Sequence, residues 1–199
     1  MFGEVWIYLF LVALIVAINA MPGLMPATWM VISFFVIKYD LSILPTVIFG
    51  AIAATTGRVV LANLSKKYVR PYLPHKQRKN LTALGKFLTT NKKLSIPLLV
   101  GYAFLPIPSN QVFIALGLSG VDFNLMAGSF FAGRLISYAF WVKLADHLAD
   151  NFGALVATGW RNPTALIAEV VGVLGVFCLM IIPWEKILKV EVKDEDLKK

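Results

Sequence analysis

Two arginines lie inside otherwise apolar stretches, Arg58 in the run from Leu41 to Leu64 and Arg134 in the run from Phe123 to Leu144. Placing a guanidinium in such a segment costs roughly 2.5–3.5 kcal/mol on insertion scales, so it must meet a partner, a water-filled cavity or a ligand. Its planar fork can hold a phosphate through two parallel hydrogen bonds. The competing reading is structural: an arginine bonded to carbonyls set free where a neighbouring helix is broken. The two arginines share a context. Each directly follows a glycine, as Gly57-Arg58 and Gly133-Arg134, and each of those pairs follows an earlier glycine, Gly50 or Gly128.

The second group of candidates surrounds two proline breaks. Pro22, Gly23 and Pro26 interrupt one apolar stretch, and Pro106 and Pro108 interrupt another, just before Ser109-Asn110-Gln111. Proline removes an amide donor and leaves a carbonyl without its helical partner. A half-helix restarting at Ala27 or Ser109 would aim its positive end at the break, where an anionic head group can bind. Ser109 and Asn110 are good N-cap types. The alternative is that Ser109, Asn110 and Gln111 only satisfy the turn. The candidate substrate-contacting set is therefore Arg58, Arg134, Gly57, Gly133, Pro22, Pro26, Pro106, Pro108, Ser109, Asn110 and Gln111. Glu169, inside the last apolar run, is the candidate coupling acid. Asp146, His147 and Asp150 have the look of metal ligands, but their place at the end of a span fits a solvated helix terminus better. No metal or cofactor is expected. There is no phosphate-binding glycine loop, no HExxH and no nucleophile–histidine–acid set, so an enzyme is not expected.

The elements that would position these residues are apolar helices. Of the 199 residues 58% are hydrophobic and 15% charged, with a mean hydropathy of +0.74; a soluble domain usually carries about 25% charged residues. Val5 to Ala20 is apolar behind a head, Met-Phe-Gly-Glu, that lacks the positive charge of a secretory signal, and it reads as a retained membrane helix. A short run, Ala27 to Ile37, follows the first break. Leu94 to Leu105 and Val112 to Gly120 flank the second. Thr164 to Trp184 is a last span, with Cys178, the only cysteine, read as a small buried hydrophobe that can form no internal disulfide. The tail, 185–199, holds five basic and five acidic residues and reads as mobile.

The net charge of +8 is concentrated. No Asp or Glu occurs from Leu41 to Val121, and residues 65–93 hold Lys66, Lys67, Arg70, Lys76, Arg78, Lys79, Lys86, Lys92 and Lys93. Apolar flanks make an anionic lipid surface a better partner than nucleic acid. Leu81, Leu84 and Leu88 recur at helical spacing there, which predicts a basic amphipathic helix lying on the membrane. The positive-inside rule places 65–93 and the lysine-bearing tail in the cytoplasm. The two halves then run in opposite directions. The expected fold is an all-α integral membrane protein, an inverted repeat of two re-entrant helical hairpins each followed by a transmembrane helix, plus a C-terminal transmembrane helix. As one domain, 1–184, it comprises repeat 1 (about 5–64), the basic linker 65–93, repeat 2 (about 94–148) and the final span 164–184.

Pro22-Gly23-Leu24-Met25-Pro26, the Gly57-Arg58 span, Phe104-Leu105-Pro106-Ile107-Pro108-Ser109-Asn110, Gly117 and Phe131-Ala132-Gly133-Arg134 resemble the VTT domain of the DedA superfamily, also called SNARE-associated Golgi proteins, over about residues 15–150. The resemblance implies re-entrant hairpins in inverted repeats, lipid translocation and a multi-pass location, for a prokaryotic relative in the plasma membrane. The chain departs from the bacterial pattern. It has no acidic residue between Leu24 and Trp29, and it has Ala103 and Ser109 where arginines flank the second hairpin. Both departures weaken proton coupling. The expected partners are membrane lipids with anionic or phosphate-bearing head groups, and a second copy of the chain in a homodimer. The expected function is lipid translocation without nucleotide, of the scramblase or polyprenyl-phosphate kind. A proton-coupled small-solute or multidrug transporter and a membrane scaffold are the alternatives.

Overall fold

The computed structural model describes residues 2–23, 26–104, 109–147, 174, 177–192 and 196–197. Its regular structure there is helical. Helix α1 covers Phe2–Ala20, α2 Thr28–Tyr39 and α3 Ile43–Leu64. Helix α3 runs on through a π turn, Ser65–Val69, and a 3-10 turn, Arg70–Tyr72. Pro71 and Pro74, which have no amide to donate, close that continuation. Helix α4 covers His75–Thr90, α5 Lys92–Phe104, α6 Asn110–Ser119, α7 Phe123–His147, and a short α8 Trp184–Ile187. The segments Ile43–Tyr72 and Phe123–His147 are long and apolar enough to cross a membrane.

Two units share one plan of helix, break, helix, left-handed cap and long helix. Asp40 ends α2 at φ 50° and Gly120 ends α6 at φ 72°. In both, the next residue closes the end with the same bond: Leu41 N–H to the Val36 carbonyl (3.2 Å) and Val121 N–H to the Leu116 carbonyl (3.4 Å). This recaptures a carbonyl that a helix end leaves open. The paired glycines make a second match. A Cβ on Gly57 would stand 2.6 Å from the Val16 carbonyl oxygen of α1, and one on Gly133 would stand 2.6 Å from the Val100 carbonyl oxygen of α5. Small residues let backbones approach this closely where apolar helices must pack without help from water.

Helix α1 packs on α3 and α5 on α7, while α3 and α7 pack on each other. The short helices cross over: α2 meets α7, and α6 meets α3. Leu11, Ile15, Ile32, Val47, Ala54, Phe113, Tyr138 and Val142 are buried at this junction, and Phe113 meets Phe130 edge-on at 4.6 Å. Large apolar side chains also face outward, among them Leu44, Ile48, Phe49 and Ile52 of α3 and Ile136 and Phe140 of α7.

Several expectations are corrected. The amphipathic helix exists as α4, but its apolar face is covered by protein. Leu81 is fully buried with Leu118 and Met180, and a Cβ on Gly85 would collide with the Ser119 carbonyl of α6. Arg70 is not a surface cation: it is 3% exposed, donates to Thr82 Oγ1 (3.0 Å), and lies against Gly120, where a Cβ would fall 2.8 Å from its Nη1. Cys178 is exposed. The tail is docked on α4 where it is described. Lys79 pairs with Glu185 (2.9 Å) and Lys86 with Asp196 (3.2 Å). Lys86 also donates to the Glu191 carbonyl (3.0 Å), Arg78 donates to the Leu197 carbonyl, and Val192 and Leu197 are buried with Ala83. Balanced charge reads as a solvated tail in the sequence; here its acids face the lysines of α4. The last span lies largely outside the described residues, although residues 177–181 are helical and Trp184 Nε1 spans the Pro183 break to the Leu179 carbonyl (2.7 Å).

Two expected outcomes follow from this packing. Gly57→Ala and Gly133→Ala should each lower stability in detergent by about 1–3 kcal/mol, because the collision is with backbone, whereas Gly128→Ala, inside α7 with nothing within 4 Å of its Cβ, should leave it undiminished or raise it by up to about 1 kcal/mol, because alanine is the better helix former. For the tail, half-exposed ion pairs contribute at most about 1 kcal/mol, and burying a leucine or valine contributes about 1.5–3 kcal/mol. Limited proteolysis should therefore cut the tail of a Leu197→Asp variant much faster than that of Lys79→Gln/Lys86→Gln; the reverse order would mean that charge holds it.

Candidate functional site

The break after α1 leaves the last carbonyls of that helix without amide partners. Asn19 lies there, 1% exposed. Its side-chain amide donates to the Ile15 carbonyl (2.8 Å) and to Thr28 Oγ1 (3.0 Å), which ties the end of α1 to the start of α2. Its backbone carbonyl accepts from Arg58 Nη1 of α3 at 3.2 Å. A cation at this point also faces the negative end of the α1 dipole. The same Nη1 donates to Asn110 Oδ1, in the first turn of α6, and Asn110 Nδ2 donates to the Gly23 carbonyl in the first break. Arg58, 7% exposed, therefore links the end of α1 to the start of α6. This is the structural role that the sequence offered as the competing reading.

Arg134 is placed differently. It is 8% exposed, and its Cζ lies 4.9 Å from the centre of the Phe130 ring and 5.5 Å from that of Tyr138. The residues one turn of α7 to either side thus place an aromatic face against the guanidinium, a cation–π arrangement. Its Nη2 donates a 3.3 Å hydrogen bond to Ser109 Oγ. Its Nε has no partner, and no carboxylate pairs with it among the described residues. Ser109 stands at the N-cap of α6, as expected, but its hydroxyl makes no capping bond there; it receives Arg134 instead. The positive end of α6 and the Arg134 guanidinium therefore stand side by side. Tyr102 of α5 lies within electrostatic reach of both arginines.

The structure thus brings together Arg58, Asn110 and the Gly23 carbonyl, and separately Arg134 and Ser109. Gly57 and Gly133 act one residue earlier, as the close contacts that let α3 and α7 reach the breaks. Pro22 is exposed and Pro26 half-buried. Pro106, Pro108, Glu169 and Asp150 lie outside the described residues. Gln111 is 5% exposed, and neither amide atom has a partner, so it does not satisfy the turn. Asp146 and His147 are exposed at the end of α7, and among the described residues no cluster of three metal-ligating side chains forms.

Sequence reasoning missed Asn19, Tyr138 and the pair Trp29–Trp141, whose rings lie 5.6 Å apart between α2 and α7. A signal existed for two of them. Asn19 is the lone amide in a sixteen-residue apolar run, and Phe130 and Tyr138 sit four positions on either side of Arg134, the spacing of facing helical neighbours. No protein-family model, curated protein or solved structure matches the chain.

Proposed function

We propose that the protein is a multi-pass membrane protein that moves lipids between leaflets without nucleotide, by giving the head group a polar route past two re-entrant hairpins arranged as an inverted repeat. The observation that carries this reading is Arg134. A charged group 8% exposed, against two aromatic rings and beside the positive end of α6, needs negative charge that no described side chain supplies. A phosphate supplies it. The basic stretch without a single acid from Leu41 to Val121 keeps the surroundings positive.

Other features agree. The first break puts irregular backbone, at residues 21–23, within bonding distance of Asn110, an arrangement tolerated at membrane depth only where protein or water covers it. The outward apolar side chains of α3 and α7 suit lipid tails, which can trail outside while the head group passes. The motifs around both breaks resemble the VTT domain, whose members translocate lipids. The reaction is transport down a gradient, with no bond made or broken, so the protein acts as a translocator rather than an enzyme.

Reconstitution into liposomes with a head-group-labelled phospholipid and an impermeant quencher tests this. Without protein only the outer leaflet should be quenched; with protein quenching should approach completion. Arg134→Ala should slow the process about tenfold or more, since a hydrogen bond to a charged group contributes about 1.5–3 kcal/mol, and should leave the fold intact. Arg134→Lys should recover part of the rate, because an ammonium lacks the planar fork. Arg58→Ala should instead lower stability, by about 1–3 kcal/mol for each acceptor left without its donor. The reading is wrong if vesicles stay quenched in one leaflet for phospholipids and polyprenyl phosphates alike, with or without a proton gradient, or if Arg134→Ala translocates at the normal rate.

A further inference from the structure

Three buried donors on one face of α7 bond to nothing among the described residues: Arg134 Nε, Tyr138 Oη and Trp141 Nε1. Steps of four and three residues separate them, the spacing of neighbours along one helix face. Helical side chains lean back over the preceding turn. Tyr138 accordingly reaches Arg134, whose Cζ lies 5.5 Å from its ring centre, and Trp141 leans towards Tyr138. The row has two defined ends. At one, Arg134 donates to Ser109 at the start of α6. At the other, the Trp141 ring lies 5.6 Å from that of Trp29, in the first turn of α2.

A buried hydroxyl or indole N–H without an acceptor is destabilising, because it loses water and gains nothing. Tyr138 is 1% exposed, and phenylalanine would fill its place without that cost. Guanidinium and indole nitrogens only donate, and a phenol can do so. The complement of such a row is an anion with several acceptor oxygens, as a phosphate is. The helical rise decides whether one phosphate meets all three. Arg134 and Trp141 stand about 10 Å apart along the axis at 1.5 Å per residue. That is too far for a single phosphate group, so the contacts are made in turn. Phe130, one turn the other way, has no donor, so the row extends from Arg134 only towards Trp141.

We propose that Tyr138 and Trp141 are further binding residues of the head-group route. A lipid phosphate held at Arg134 passes to the Tyr138 hydroxyl and then to the Trp141 indole N–H, along α7 from the start of α6 to the start of α2. Each step exchanges one donor for the next, so the anion keeps a hydrogen bond throughout. The inference rests on the lipid-translocation reading and adds to it the residues that receive the head group after Arg134.

The test uses the full chain in liposomes with a head-group-labelled phospholipid and an impermeant quencher, beside vesicles loaded with inorganic phosphate and thermal unfolding in detergent. Tyr138→Phe removes only the hydroxyl, and Trp141→Phe removes the N–H while keeping a ring against Trp29. Each should slow translocation about tenfold, as expected for losing a hydrogen bond to a charged group. The double variant should be slower than either single one by only about twofold, because steps in series add their delays. Tyr138→Phe should unfold at the wild-type temperature or above it, since a bare buried hydroxyl is removed. The loaded vesicles should keep their phosphate. If the wild type moves lipid and both variants match its rate, the inference is overturned and translocation stands. A lower unfolding temperature for Tyr138→Phe overturns it too, since the hydroxyl would then be holding the fold. A double variant about a hundredfold slower overturns the passage in turn, because both donors would then hold one phosphate together. Leakage of inorganic phosphate that both substitutions slow, with lipid confined to its leaflet, assigns the row to a free anion and overturns the lipid reading. A wild type that moves neither overturns that reading and this inference with it.

Discussion

Breaking a helix in apolar surroundings releases backbone groups that must be bonded again, and in this protein the re-bonding is done by an arginine. The carbonyl of Asn19 at the end of α1 and the side chain of Asn110 at the start of α6 both accept from Arg58 Nη1. Asn110 in turn takes up the Gly23 carbonyl in the first break. One guanidinium on α3 therefore joins the end of α1 to the start of α6. In a low-dielectric interior such bonds are stronger than in water, and leaving any of them unmade costs correspondingly more.

Much of the remaining architecture follows from bringing that guanidinium within reach. Gly57 has no side chain, so α3 can lie against the Val16 carbonyl of α1 and deliver the next residue to the end of that helix. Gly133 does the same for α7 against Val100 of α5. The left-handed caps at Asp40 and Gly120 turn the chain from each short helix into the long one that carries the arginine. Matched local geometry does not produce matched roles. The first arginine is enclosed by the acceptors of both breaks, whereas the second meets one serine hydroxyl and two aromatic faces. A guanidinium among backbone and amide acceptors and a guanidinium against aromatic faces are different answers to the same desolvation problem.

The helices, the first break and the Gly-Arg pairs were legible in the sequence because each rests on a local signal: uninterrupted apolar length, proline, or a charge where charge is costly. The division of labour between Arg58 and Arg134 was not, since it depends on which acceptors arrive from residues far along the chain, such as Asn110. Ser109 had the chemistry of a cap, but its hydroxyl is claimed by Arg134 from α7, a tertiary competitor that no local pattern shows. The basic stretch misled for the same reason. Amphipathic spacing in α4 showed that one face needed covering, and only the fold shows that α6 and the tail cover it, with Arg70 drawn inside against Gly120.

Arg58 and Asn110 should act as one unit that joins the end of α1 to the start of α6. A double-mutant cycle on stability, with Arg58→Met, Asn110→Leu and the double variant unfolded in detergent, measures this directly. The account requires a coupling of about 1.5–3 kcal/mol, the range for a hydrogen bond to a charged group, so that the second substitution costs little once the first is made. Effects that add to within about 0.5 kcal/mol would mean that the two residues act independently, and would contradict the account.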